Sequence, residues 1–112
     1  MLGVNQLDAV TAAPDHHRVL LENDRVRVLE TIIRPGEQTA LHTHVWSGTL
    51  LILSWSDFER FDAAGQVIFR SSDLEHPPQP GTVLWSAPLP PHSFRNVGTQ
   101  DFHVITTELK SG

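Results

Sequence analysis

A chain of 112 residues, 39% hydrophobic and 19% charged, holds enough apolar matter for one core and falls within the size of a single domain. Its formal charge of -5, from 8 Lys plus Arg against 13 Asp plus Glu with no basic run or stripe, argues against nucleic acid as a partner. Without cysteine there are no disulfides and no thiolate ligands, so any metal must be held by nitrogen and oxygen, and 7 histidines are the obvious supply.

In chain order, residues 1–17 read as a loosely held arm, mixed in character and broken at Pro14, with no basic n-region ahead of it. No stretch approaches the roughly 20 apolar residues that cross a bilayer, so no membrane partner is expected and the reading is of a soluble cytoplasmic protein. Residues 18–22 and 25–33 (RVRVLETII) are rich in β-branched side chains, with Val26 and Val28 alternating against Arg25 and Arg27, and predict two strands joined at Asn23 and Asp24. Pro35 and Gly36 mark a turn, after which residues 39–45 and 49–55 (TLLILSW) read as strands separated by Gly48. Residues 58–61 and 66–70 flank Ala63, Ala64 and Gly65 in the pattern of a hairpin. The prolines of residues 75–81 exclude an interior strand there; residues 82–86 resume one before Pro88, Pro90 and Pro91 interrupt again. Residues 93–97 and 102–109 complete the series around a turn at 98–101. Many short strands with no convincing amphipathic helix predict an all-β fold, a sandwich or barrel spanning residues 18–112.

One spacing carries chemistry. His42 and His44 lie two apart, so on a strand both imidazoles share a face. His92 and Asn96 are again separated by an even number on a later strand, which makes His92 the third ligand of a metal site with open positions. Imidazole suits Fe, Zn, Ni and Cu.

The same residues resemble the two motifs of the cupin family of double-stranded β-helix, or jelly-roll, proteins. Gly36, His42 and His44 match the spacing of its first motif, whose glutamate would fall at Gly48 or Thr49 and is missing; Gly81, His92 and Asn96 fall in register with the second, with Ala87 and Leu89 where the family has proline and glycine. The stretches HRVLLENDRVRVLE and HVITTELK also resemble a group of short cupins associated with β-alanine breakdown. The resemblance covers about residues 18–109. It implies a cupin barrel with a divalent ion on His42, His44 and His92, Fe(II) being favoured over Zn, Mn or Ni, and a homodimer paired through outer sheet faces.

Beyond the ligands, Gln38, Trp46, Trp85, Phe94, Asn96 and His103 are candidates for the pocket wall, His103 only if its strand turns that side chain inward. His16, His17 and His76 read as solvated histidines. No tyrosine exists and no carboxylate is set by motif near the histidines, so the chain offers no evident general base. Three imidazoles with open positions resemble the iron cupins that oxidise small thiols or diketones, and the reading is of a metal-dependent, dioxygenase-like enzyme acting on a small organic acid, amine or thiol. A non-catalytic module binding a metal or small ligand is the alternative.

Overall fold

A computed structural model describes residues 4–110; the first three residues of the expected arm and the last two of the expected barrel lie outside the described residues. Among the described residues nine strands form: β1 (His17–Glu22), β2 (Val26–Ile33), β3 (His42–His44), β4 (Gly48–Ser54), β5 (Phe58–Asp62), β6 (Val67–Arg70), β7 (Val83–Ser86), β8 (Leu89–Asn96) and β9 (Phe102–Leu109). They pair as two antiparallel sheets, one of five strands in the order β1-β2-β9-β4-β7 and one of four in the order β3-β8-β5-β6. The two close on each other as a jelly-roll barrel, and the core packs between them: Ile33, Ile52, Phe58, Phe94, Phe102 and Val104 form one buried cluster. Its aromatic rings sit at contact distance, with Phe58 stacked on Phe94 at 4.2 Å and Phe94 tilted against Phe102 at 4.6 Å between centroids.

The alternation of β2 runs opposite to the hydrophobic pattern. Arg27, Leu29, Thr31 and Ile33 face inward, while Val26 and Val28 share the outer, half-buried face with Glu30. An arginine turns inward here because two carboxylates meet it: Arg27 Nε donates to Glu108 Oε1 at 2.6 Å, and its terminal nitrogens donate to the two oxygens of Asp8 at 2.9 and 2.8 Å. Burial pulls the Arg27 pKa down, but its bonds to Asp8 and Glu108 outweigh that and the net shift is upward. β9 follows the same phase, with Phe102, Val104, Thr106 and Glu108 buried on the inner face.

β8 begins at Leu89 and so runs through Pro90 and Pro91, which the sequence had marked as interruptions. The prolines are tolerated because β5 pairs with β8 only from His92 onward, and on the other side the β3–β8 ladder slips register between His42 and His44. A residue without an N–H costs nothing where no ladder bond is owed. The motif glycines Gly36 and Gly81 both have left-handed backbone, φ 83° and 91°, which side-chain-bearing residues rarely adopt.

Residues 4–16, read from the sequence as a loose arm, pack onto the barrel. A 3-10 turn (Val4–Leu7) leads into the helical turn α1 (Ala9–Ala12), which Asp8 caps by accepting from the Val10 amide at 3.2 Å. Ala9 and Ala13 are fully or almost fully buried, and Asp8 pairs in parallel with Thr43 of β3 while its carboxylate grips Arg27 of β2. Burial raises the Asp8 pKa and Arg27 lowers it, with a net shift downward.

Candidate metal centre

Four imidazoles meet inside the barrel. His42 and His92 are direct partners across the β3–β8 ladder, so their side chains leave the sheet on one face, and their ring centroids lie 4.4 Å apart. His44, two residues on, sits 5.0 Å from His42 and 5.5 Å from His92. The fourth ring is His17, the first residue of β1, 4.7 Å from His42 and 5.5 Å from His44. Among the described residues, His17, His42 and His44 are the three that each offer one ligand atom with all such atoms within 4.8 Å of one another. Nitrogens held about 2.0–2.1 Å from a common ion stand roughly 3–4 Å apart, so this trio could gather on one cation with a small inward shift of its rings. His92 adjoins the trio through His42 and is not one of its members.

The second ring nitrogens are already engaged. Nδ1 of His17 lies 3.0 Å from the Ala13 carbonyl, Nδ1 of His42 2.7 Å from that of Ala40, and Nδ1 of His92 2.8 Å from that of Pro90. A carbonyl only accepts, so each Nδ1 carries the hydrogen and each Nε2 is left with its lone pair, the tautomer that binds a metal. Burial drives all three pKa values down, to about 3 for His17 and His92 and about 4 for His42, with charge on neighbouring imidazoles adding to the effect. The rings are therefore neutral at pH 7, as ligation requires.

The missing motif glutamate cannot be restored at either of its positions. A Cβ on Gly48 would fall 1.8 Å from the Thr107 carbonyl oxygen, and Thr49 is exposed. The strand that crowds Gly48 supplies a carboxylate instead: Glu108 of β9 is the cross-strand partner of Gly48 and projects inward, 1% exposed. One of its oxygens accepts from Arg27; the other, Oε2, is buried with no hydrogen-bond partner and lies 3.7 Å from His44 Nδ1. No motif places a carboxylate near the histidines; the pairing of β4 with β9 brings this one in.

His17, Trp46, Trp85, Phe94 and Glu108 all line one cavity of about 430 Å³ together with His42, His44 and His92. Trp46 lies under the Arg27 guanidinium at 5.0 Å, and Trp85 is 64% exposed at the rim. Gln38, Asn96 and His103 are not part of its wall. Gln38 is exposed and donates to Ser93 Oγ at 3.1 Å. Asn96 is fully buried but spent on structure: its Nδ2 donates to the carbonyls of Ile33 and Gln100 and its Oδ1 accepts from Ser56 and Gly98. His103 points outward, because β9 turns its even-numbered residues in, and meets Glu30 at 2.8 Å. His76 is an exposed rim residue, and His16 lies 3.6 Å from Glu37.

His17 is the member of the cluster that sequence reading missed. The alternation that reveals a half-buried strand is absent from β1, where every residue after His17 is exposed. Its inward aim comes from pairing, since His17 stands opposite the buried Thr31 of β2.

Two sheets closed around an imidazole cluster define a cupin-type double-stranded β-helix. Neither a family model nor a curated protein matches the sequence, whereas solved structures do match the fold. A cupin domain from Bordetella pertussis Tohama I superposes with a TM-score of 0.66 at 20% identity, over 84% of this chain and 91% of that one. An uncharacterized conserved protein with a double-stranded β-helix domain from Klebsiella pneumoniae gives 0.57 at 19% identity, over 100% and 92%. The polyketide cyclase RemF from Streptomyces resistomycificus gives 0.55 at 18% identity, over 97% and 78%. No helix among the described residues is long and apolar enough to cross a membrane.

Proposed function

We propose that this cupin-fold chain is a metal-dependent enzyme of dioxygenase-like chemistry whose ion is held by His17, His42 and His44, with His92 beside them. The observation that supports it most is the convergence of the trio within 4.8 Å, with the Nδ1 atoms of His17 and His42 occupied by backbone carbonyls. The donor set is nitrogen-rich and leaves positions for an exogenous ligand, which suits Fe(II), Zn(II) or Ni(II) better than Mg²⁺ or Ca²⁺. Bound there, Fe(II) would supply the capacity to bring O₂ and a small organic substrate together. The chain's own part is to orient the rings through Ala13, Ala40 and Pro90, to present the free oxygen of Glu108 toward His44 as a proton acceptor, and to exclude water with the aromatic wall.

Metal analysis of the protein purified without added metal tests the first half of this reading, and oxygen consumption over a panel of small acids, amines and thiols tests the second. About one iron per chain is expected, falling about 100-fold in affinity in His42→Ala, whose ring touches all three others. Stoichiometric metal with no oxygen uptake for any substrate would leave a binding module in place of an enzyme. A native chain that takes up no divalent ion at neutral pH would end the metal reading.

A further inference from the structure

The cavity wall holds a cation that meets no ion pair among the described residues. Arg60 of β5 stands opposite Phe94 of β8 across the ladder, and His92, two residues before Phe94, shares that inner face. Its guanidinium lies over the rings of Phe58 and Phe69, at 5.7 and 5.4 Å from their centroids. Among the described residues its side chain has no ion pair and no hydrogen bond, and Nε is buried without a partner. The contrast with Arg27 is sharp, since that arginine meets two carboxylates within 2.9 Å. A charge half withdrawn from water and unpaired is costly to a fold, and burial accordingly depresses the Arg60 pKa. Cation–π contact offsets only part of that cost.

A second group nearby has the same need. The indole Nε1 of Trp55 is also buried without a partner, and its ring packs edge-on to Phe58 at 5.5 Å, so both orphaned donors border the Phe58 ring and both residues line the cavity. Guanidinium and indole N–H groups only donate. What would satisfy them must bring acceptors, and for the guanidinium, negative charge in a planar pair of oxygens. Much of the rest of the wall, with Leu50, Leu84, Leu89 and Phe102, is apolar and asks for a hydrocarbon body. Arg60 and His92 line the same cavity, so the cation and the histidine cluster border the same space.

We propose that Arg60 is the carboxylate-binding residue of this cavity, and that the ligand is a small organic acid with an apolar body extending among the aromatic rings toward the imidazole cluster. The assignment rests on reading the cavity as a substrate chamber and narrows its substrate to the acid class.

Calorimetric titration of the full chain with carboxylates from acetate to 4-phenylbutyrate, and with the matching neutral amides, tests it with and without one equivalent of Zn²⁺. At least one acid should bind about 10-fold more tightly than its amide in both states. Arg60→Gln should bring the acid to the level of the amide without changing zinc content. Arg60→Lys keeps the charge but not the fork; it should lose the preference by several-fold, and serves if the glutamine variant does not fold. Equal binding of acid and amide throughout the series, no binding by any of them, or a preference carried unchanged through either folded variant would overturn the assignment. The two readings fail separately: a zinc-free preference lost in Arg60→Gln stands even if no metal binds, and a chain that binds zinc but ignores the carboxylate retains only the metal site.

Discussion

Around the imidazole cluster the chain answers most of its own polar groups, whereas around Phe58, Phe94 and Phe102 it sets a cation over aromatic rings with no ion pair or hydrogen bond among the described residues. In the first region three rings are locked by backbone carbonyls, and Asp8, Arg27 and Glu108 form a buried charge chain from the N-terminal segment through β2 to β9. In the second region the rings pack at 4.2–5.5 Å, and Nε of Arg60 and Nε1 of Trp55 are buried without a partner. The difference separates two kinds of preparation: geometry fixed in advance for an ion, and an electrostatic need left open for a molecule that arrives with its own charge.

Removing one group from each region should be about equally costly to the fold yet different in kind. Glu108→Ala strips a partner from buried Arg27, and Phe58→Ala opens a void in the aromatic cluster; each is expected to destabilise by about 3–5 kcal/mol in denaturant unfolding. Only the first should also weaken metal binding, by about 10-fold or more, because Glu108 stands beside His44. Equal loss of metal affinity in both variants would abolish the distinction between the regions.

Acid should act on the first region alone. His17, His42 and His92 titrate at about 3, 4 and 3 in the folded chain against 6.5 without burial, so as the pH falls the unfolded chain takes up protons first. The loss of stability that these rings cause in chelator-treated protein is therefore absent above about pH 6.5, grows toward pH 4 and levels off below about pH 3, each ring costing on the order of 1–2 kcal/mol at pH 5. Denaturation midpoints across this range check it. In the triple variant His17→Gln, His42→Gln, His92→Gln the slope should flatten, and a slope that persists would place its source elsewhere.

The finest comparison lies within the cluster. His17 belongs to the trio within 4.8 Å and His92 does not, so His17→Ala should weaken zinc binding about 10-fold more than His92→Ala in competition with a chelator. The reverse order would return the site to His42, His44 and His92.

Among the described residues each strand was legible from the sequence, several as β-branched runs and all by turn-residue punctuation, which is a local property of the chain, although β8 begins four residues before the expected 93. The His42–His44 spacing was legible for the same reason, as residues two apart on a strand share a face wherever the strand lies. Which face turns inward was not. In β2 the alternation of Val26 and Val28 with Arg25 and Arg27 marked a strand without naming its inner face, and Arg27 goes inside because Asp8, 19 residues away, and Glu108, 81 away, meet it there.

The glutamate opposite Gly48, the ring of His17 and the isolation of Arg60 likewise exist only once β1, β4, β5 and β9 have taken their neighbours. Local sequence determined that this chain makes strands, with a histidine pair on one of them. The pairing of distant strands decided which imidazoles gather, which carboxylate joins them and which cation is left without one, because burial and charge compensation depend on neighbours in space.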